Sequence, residues 1–430
     1  MEENNNMVCS DAFDPTKVKK LSFLELLKKI GPGIVLTGVV IGPGAITTAS
    51  MIGASYGYSL LWLMIPIAFM GITFMLTTYR IGMLTGMPII HAINHYYGRF
   101  AAAFVGVATF LACMFFTLGN ISGTGTGMNL IFGINWKLGA IIMICILIYA
   151  YFSKGVYSKI EKGILLCIFG MILAFYITLI GTGGPDGGQV MYSVTHWQVP
   201  EGALPVVLAF ISTNASLTTG IYGTYLGLEK KWKKEDLFNG VMVADSIAHI
   251  LGVILISGAI ILVGAIVLNP TGQSITAPAQ LAEMLQPIMG KAAKYIMGIA
   301  LLGAGFSSLL GNTQRGVVLL NAGLDKDTSL ESKGVRWGSM IVILIAAAIN
   351  FSFNGSPVQL IYIANVATSV ATPVAGLFIT LMIWKKDVNK GFKEPRLLQI
   401  CMTISYLFVL FMTGSALMKS IPQLIESIIN

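Results

Sequence analysis

Eleven apolar runs, each near the length of about 20 residues that crosses a bilayer core, limit what this chain can fold into. They lie near residues 31–54, 58–84, 100–120, 136–153, 162–182, 203–227, 240–268, 292–320, 335–353, 357–384 and 397–417. Of the 430 residues, 55% are hydrophobic and only 11% are charged, against about 25% charged in soluble domains. Lipid is the solvent that accepts such a surface, so an all-α integral membrane protein is expected. The 48 glycines suit close helix packing and helix breaks.

The net charge of +8 does not indicate nucleic acid, because the basic residues lie between the spans rather than on one face. Lys and Arg fall 22 to 4 between alternate loops and the span ends beside them, and only Arg315 is counted to neither side, as lying within a span. Such a bias orients the chain with its N-terminus in the cytoplasm and its C-terminus outside. A miscounted span would scramble the alternation. Cys113, Cys145, Cys167 and Cys401 lie in apolar runs and Cys9 near the start, without the paired spacing of a disulfide or zinc site. Residues 1–20 are polar and no cleavable leader is expected. A bacterial inner membrane is the expected location.

Two spans read as broken. Span 1 carries Gly31-Pro32-Gly33 and then Gly42-Pro43-Gly44-Ala45, where Pro removes a helix donor and Gly frees the backbone. Span 6 carries Asn214-Ala215-Ser216-Leu217-Thr218-Thr219-Gly220 without proline. Unwinding is expected at 42–45 and 215–220. Breaks five spans apart fit an inverted repeat with a midplane site, the signature of secondary transporters. Two packing kinks would read the same way.

Few ionisable groups lie inside the spans. Asp245 and His249, four apart in span 7, share a helix face; they suit a proton relay or a structural contact. Arg315 lies near Asn312 and Gln314 and suits a relay or a snorkelling side chain. In span 3, Thr117, Asn120, Ser122, Thr124, Thr126 and Asn129 with interleaved glycines suit tight packing or a vestibule lining. Span 10 offers Asn365, Thr368, Ser369 and Thr372 before Pro373. No Walker A, HExxH or GxSxG motif occurs, so ATP hydrolysis and covalent catalysis are not expected.

At the broken helices the sequence resembles the NRAMP family of divalent metal transporters. The resemblance is best from Gly31 to Gly86, through Gly53-Ala54-Ser55-Tyr56-Gly57-Tyr58 and Leu60-Leu61-Trp62, and continues weakly through span 10. It implies a LeuT-type fold: residues 1–30 as a cytoplasmic segment, inverted five-helix repeats over 31–182 and 203–384, an extracellular loop at 183–202, and helix 11 with the C-terminal segment in 385–430. Typical members carry Asp-Pro-Gly-Asn where this chain has Gly42-Pro43-Gly44-Ala45, and Ala-x-x-Met-Pro-His where it has Ala215 to Gly220. The thioether position is Thr218 and the His position Gly220; acidic positions on helix 3 align with Thr117 and Asn120. These departures resemble the NRAMP-related magnesium transporter branch.

The resemblance implies a metal site at Gly42, Ala45, Ala215, Thr218 and Asn365 for Mg²⁺ or Mn²⁺ as transported substrate, with no cofactor and no proton coupling. Oxygen donors suit these hard ions, and losing the thioether disfavours soft ones. The missing carboxylate leaves a dication poorly stabilised. The same uncharged site would suit a small neutral or zwitterionic solute, and a non-transporting scaffold or sensor is a third reading. The expected partners are the lipid bilayer and divalent ions, with the chain acting as a monomer.

Overall fold

The first span bends by 61° between α1 (Pro32–Val40) and α2 (Pro43–Tyr56), and the rest of the bundle is arranged around that bend. The computed structural model describes residues 15–152 and 156–429. Eleven helical positions follow the expected order. After the bent pair come α3 (Met64–Thr85), α4 (Arg99–Phe132), α5 (Trp136–Phe152) and α6 (Val156–Gly181). The second half holds α7 (Leu204–Asn214) and α8 (Leu217–Glu229), then α9 (Val241–Val267), α10 (Ala293–Gly323) and α11 (Lys333–Ser352). It closes with α12 (Pro357–Ala367) continuing into α13 (Ala371–Trp384), and α14 (Arg396–Ile429). Among the described residues eight helices are long and apolar enough to cross a membrane, or nine with the bent pair as one span. Cys9 and Lys154, and the side chains of Lys159, Lys162, Cys167 and Lys419, lie outside the described residues.

The breaks are narrower than expected. Proline at the first helical position is preorganised for a helix start, so α2 begins at Pro43 and takes Gly44 and Ala45 into its first turn. Only Ile41 and Gly42 are unwound, with ψ values of 71° and −177°. In span 6 the interruption is Ala215 and Ser216, and Thr218 to Gly220 are helical. No proline stands there, and the pair runs on as one apolar span, Leu204–Glu229. Span 3 is also longer than read, because α4 runs 34 residues to Phe132.

Glycine sets how closely the helices approach. A Cβ at Gly106 would lie 2.9 Å from Gly323 Cα, and one at Gly127 would lie 2.7 Å from the Gly298 carbonyl oxygen. These contacts lock α4 against α10 along their length. Small residues allow such backbone approach where no hydrophobic force drives helices together. Most polar groups of span 3 fold back on their own helix: Thr117 donates to the Cys113 carbonyl (2.8 Å) and Thr126 to that of Ser122 (2.9 Å). Ser122 reaches Asn350 of α11 at 2.5 Å. Packing therefore explains this stripe, except at Asn120.

Candidate functional site

Each break leaves carbonyl oxygen without a hydrogen-bond donor among the described residues. Gly42 caps the N-terminus of α2, and an N-cap carbonyl accepts the first intrahelical bond. Its oxygen takes the Ile46 N–H at 3.2 Å. The preceding carbonyl, of Ile41 at the C-terminus of α1, accepts no hydrogen bond among the described residues. The second break repeats the arrangement. Ser216 caps α8 and its carbonyl takes the Thr219 N–H at 3.0 Å, while the carbonyls of Ser212, Thr213, Asn214 and Ala215, the last turn of α7, accept no hydrogen bond among the described residues. Sequence reasoning named Gly42 for this role and missed Ile41. The signal was Pro43, whose place at the first helical position makes Gly42 the cap.

The glycines of the first break do not widen the site, because neighbours fill their side-chain space. A Cβ on Gly42 would lie 2.7 Å from Ser308 Oγ of α10 and 2.8 Å from Asn120 Oδ1 of α4. One on Gly44 would lie 2.5 Å from Asn365 Nδ2 of α12. Asn120 and Asn365 each keep a buried amide nitrogen with no partner among the described residues, and such a group costs about 1–3 kcal/mol. An amide can turn over, so each side chain can also offer its oxygen. The Asn365 carbonyl accepts from Ser212 Oγ (3.0 Å) and Thr368 Oγ1 (2.7 Å), which ties α12 to α7. Thr218 Oγ1 lies 2.7 Å from Ser216 Oγ in the first turn of α8. Ala45 contributes only a buried methyl group. Ala215, Thr218, Asn120 and Asn365 are at most 4% exposed, so the site is closed to solvent in this conformation.

The donors gathered near the breaks are therefore neutral: the free carbonyls of both breaks, hydroxyls of Ser216, Thr218 and Ser308, and two amides. Among the described residues no three His, Cys, Asp or Glu side chains cluster to hold a metal. The dipoles of α1 and α7 add their negative ends at the free carbonyls. Unwound backbone facing a midplane site, with half-helix C-termini directed at a cation, is how transporters of this architecture hold ions.

The sequence matches the family described as Natural resistance-associated macrophage protein-like over residues 33–419. The chain belongs to the NRAMP family. Relatives named as the divalent metal cation transporter MntH include that of Caldanaerobacter subterraneus, 21% identical over 402 residues, covering 91% of this chain and 92% of the relative. The MntH of Agrobacterium fabrum is 24% identical over 403 residues, covering 90% and 86%. A crystal structure of a mutant manganese transporter of Eremococcus coleocola superposes with a TM-score of 0.75 at 16% identity, covering 94% and 90%. Mhp1, a nucleobase-cation-symport-1 family transporter in a closed conformation, gives 0.57 at 11% identity, covering 91% and 93%. The fold is the LeuT-type fold, and the relatives are named as transporters rather than enzymes.

Within this NRAMP fold the buried ionisable groups make structural contacts, Asp245 and His249 away from the breaks and Arg315 beside the second. Asp245 Oδ1 accepts the Gly31 N–H (2.9 Å), and Oδ2 accepts the Gly33 N–H (2.8 Å) and the Tyr79 hydroxyl (3.0 Å). It caps the N-terminus of α1, the end of that helix remote from the break. A Cβ at Gly33 would lie 2.3 Å from the Asp245 carbonyl oxygen, so glycine is needed there. His249 does not bond Asp245; its Nδ1 lies 2.9 Å from Thr37 Oγ1. Arg315 does not snorkel. It is 2% exposed and donates to Asn312 Oδ1, to Thr219 Oγ1 (3.3 Å) and to Cys113 Sγ (3.3 Å), beside the Phe116 ring. It joins α10 to α4 and α8, and no described carboxylate pairs with it.

Proposed function

We propose that this chain imports divalent cations, Mg²⁺ foremost and Mn²⁺ with it, by alternating access and without proton coupling. The observation that carries the proposal is the donor set at the breaks: neutral oxygen and amide groups, with no thioether and no carboxylate. Oxygen donors favour Mg²⁺ and Mn²⁺ over soft metals. Mg²⁺ sheds water reluctantly and keeps several waters when bound. A partly hydrated ion resting on the Ile41 and Ala215 carbonyls, with hydroxyls and amides around it, is consistent with that chemistry. The names of the relatives, divalent metal cation and manganese transporters, support the substrate class. Matching caps at the two breaks support inverted repeats over residues 31–182 and 203–384, and the departures at Gly42 and Thr218 support the magnesium branch. The lysine and arginine alternation supports an N-terminus inside and a C-terminus outside a bacterial plasma membrane.

None of the polar side chains near the breaks titrates in the physiological range, and the Asp245 to His249 relay lacks its contact. Uptake would run on the ion gradient and on membrane potential, worth about 2.3 kcal/mol per charge per 100 mV. The test is uptake of Mg²⁺ and Mn²⁺ into proteoliposomes carrying an internal pH-sensitive dye. Saturable uptake with no acidification is expected. Acidification that follows the metal would refute the uncoupled reading. The absence of an anion from the site also favours a small neutral or zwitterionic solute as a second reading. Metal-independent uptake from an amino acid panel would establish that reading instead.

A further inference from the structure

A groove of about 820 Å³ opens on the outer face of the bundle between α3 and α14, away from the helix breaks. One wall is Phe69, Ile72 and Leu76 of α3, residues spaced three and four apart on one helix face. The other wall is Leu397, Leu398 and Cys401 of α14. Phe69 is 39% and Leu397 77% exposed. Phe238 and Phe392, with ring centroids 5.4 Å apart, close the end towards the loops. At that end stand Arg80, Lys393 and Arg396, with Glu394 the only acid in the lining. Arg80 is held by Asn389 Oδ1 (3.3 Å) and the Lys393 carbonyl (2.9 Å). Arg396 meets Glu394 at 2.7 Å and lies over the Trp384 ring, 5.8 Å from its centroid. Lys393 is exposed, and its ammonium has no partner among the described residues. The rim thus carries a surplus of two positive charges.

We propose that this groove binds one anionic glycerophospholipid, with an acyl chain along α3 and α14 and its phosphate against Lys393 and Arg396. The apolar walls lie within membrane spans, where the occupant must itself be apolar. The cationic rim lies at the end that the charge alternation assigns to the cytoplasm, whose leaflet holds the anionic lipids. Basic pockets between membrane helices on that side take anionic headgroups. A soluble phosphate would leave the apolar walls uncovered, and a zwitterionic headgroup would bring its own cation to the rim. The proposal is independent of which solute the helix breaks carry.

The test is native mass spectrometry of the purified full-length chain in mixed micelles of phosphatidylglycerol and phosphatidylcholine. Retention of one phosphatidylglycerol in preference to phosphatidylcholine is expected. Each cation near the headgroup is worth roughly fivefold in affinity, so the pair Lys393→Gln and Arg396→Gln should cut the preference by roughly 25-fold. Leu76→Trp, which fills the groove and leaves the rim intact, should lower retention of both lipids while the protein stays monodisperse. Equal retention of the two lipids by the parent, or an unchanged preference in the double variant, would overturn the proposal. So would lipid binding only after removal of residues 1–14, which carry Glu2, Glu3, Asp11 and Asp14 and precede Pro15 at the groove edge. That result would give the groove to the chain's own N-terminal segment.

Discussion

Asp245→Asn isolates what a buried carboxylate does for the first half-helix. The carboxylate is 0% exposed and accepts three hydrogen bonds, two from N–H groups at the start of α1 and one from Tyr79. Asparagine keeps the shape but offers one acceptor atom and places an NH₂ group against the donors on the other side. Hydrogen bonds to a charged group are worth about 1.5–3 kcal/mol, and an anion at a helix N-terminus adds up to about 2 kcal/mol. A loss of about 3 kcal/mol is a moderate expectation. At about 2.1 cal/mol/K per residue, the 430 residues give an unfolding entropy of about 0.9 kcal/mol/K, so Tm should fall by about 3 °C. The assay is thermal unfolding of the detergent-purified protein followed by size-exclusion chromatography. Ser246→Ala is the control, because among the described residues the Ser246 hydroxyl bonds only the Met242 carbonyl of its own helix, at 2.8 Å. If Asp245→Asn unfolds within about 1 °C of that control, the carboxylate does not anchor α1 and the capping argument is wrong.

Thr218→Met should raise Cd²⁺ competition against Mn²⁺ uptake, since sulfur is the soft donor; unchanged competition would place Thr218 away from the ion. Gly42→Asp alone should misfold or bind metal poorly, because its Cβ would meet Ser308 and Asn120 at 2.7 and 2.8 Å. With Ser308→Gly and Asn120→Ala added, calorimetric Mn²⁺ affinity should rise above the parent's. Outside the membrane, burial opposes ionisation of Asp236, but the Lys233 N–H, Asn239 and the Lys29 ammonium (3.0 Å) together hold its carboxyl below the usual range. The stability this contributes is present above the unfolded carboxylate pKa, about 3.9, and is lost as pH falls through the lower folded value. Tm profiles of the parent and Asp236→Asn should therefore differ at pH 7 and converge as the solution is acidified below about pH 4; parallel profiles would refute the pairing.

The sequence made the spans legible because a bilayer imposes length and polarity on every helix that crosses it. It located both breaks to within a few residues, because Gly42-Pro43 can hardly continue a helix and because Ser216 can cap one. It could not show which carbonyls are free. That depends on which residue becomes the cap, and in span 6 no proline decides the matter. The roles of Asp245, His249 and Arg315 were also hidden, since helical spacing puts Asp245 and His249 on one face but does not say what faces them. Asp245 turns to Gly31 and Gly33, and His249 to Thr37, both on α1. Asn120 was visible as one member of a polar stripe, but its neighbours in that stripe bond their own helix or α11. Only the close approach of Gly42 singles it out.

The unpaired Arg315 bears on how the proposed ion would be held. Its guanidinium donates to Thr219, the residue after Thr218, so a fixed positive charge stands beside the second break. Attraction to the free carbonyls and two half-helix dipoles is modest, because each dipole amounts to about half a charge at its end. A bare dication would meet this cation in a site closed to solvent, where charges interact strongly. An ion that keeps part of its water shell brings screening with it and needs fewer protein ligands. The same charge penalises proton loading nearby, since any group that gained a proton there would add a second cation. If the site takes a divalent ion, the guanidinium at its edge therefore requires that ion to keep part of its water shell. Arg315→Gln, with the charge removed and some hydrogen bonding kept, should strengthen Mn²⁺ binding if this balance is right. Weaker binding in a folded Arg315→Gln protein would mean that the guanidinium organises the donors rather than opposing the ion.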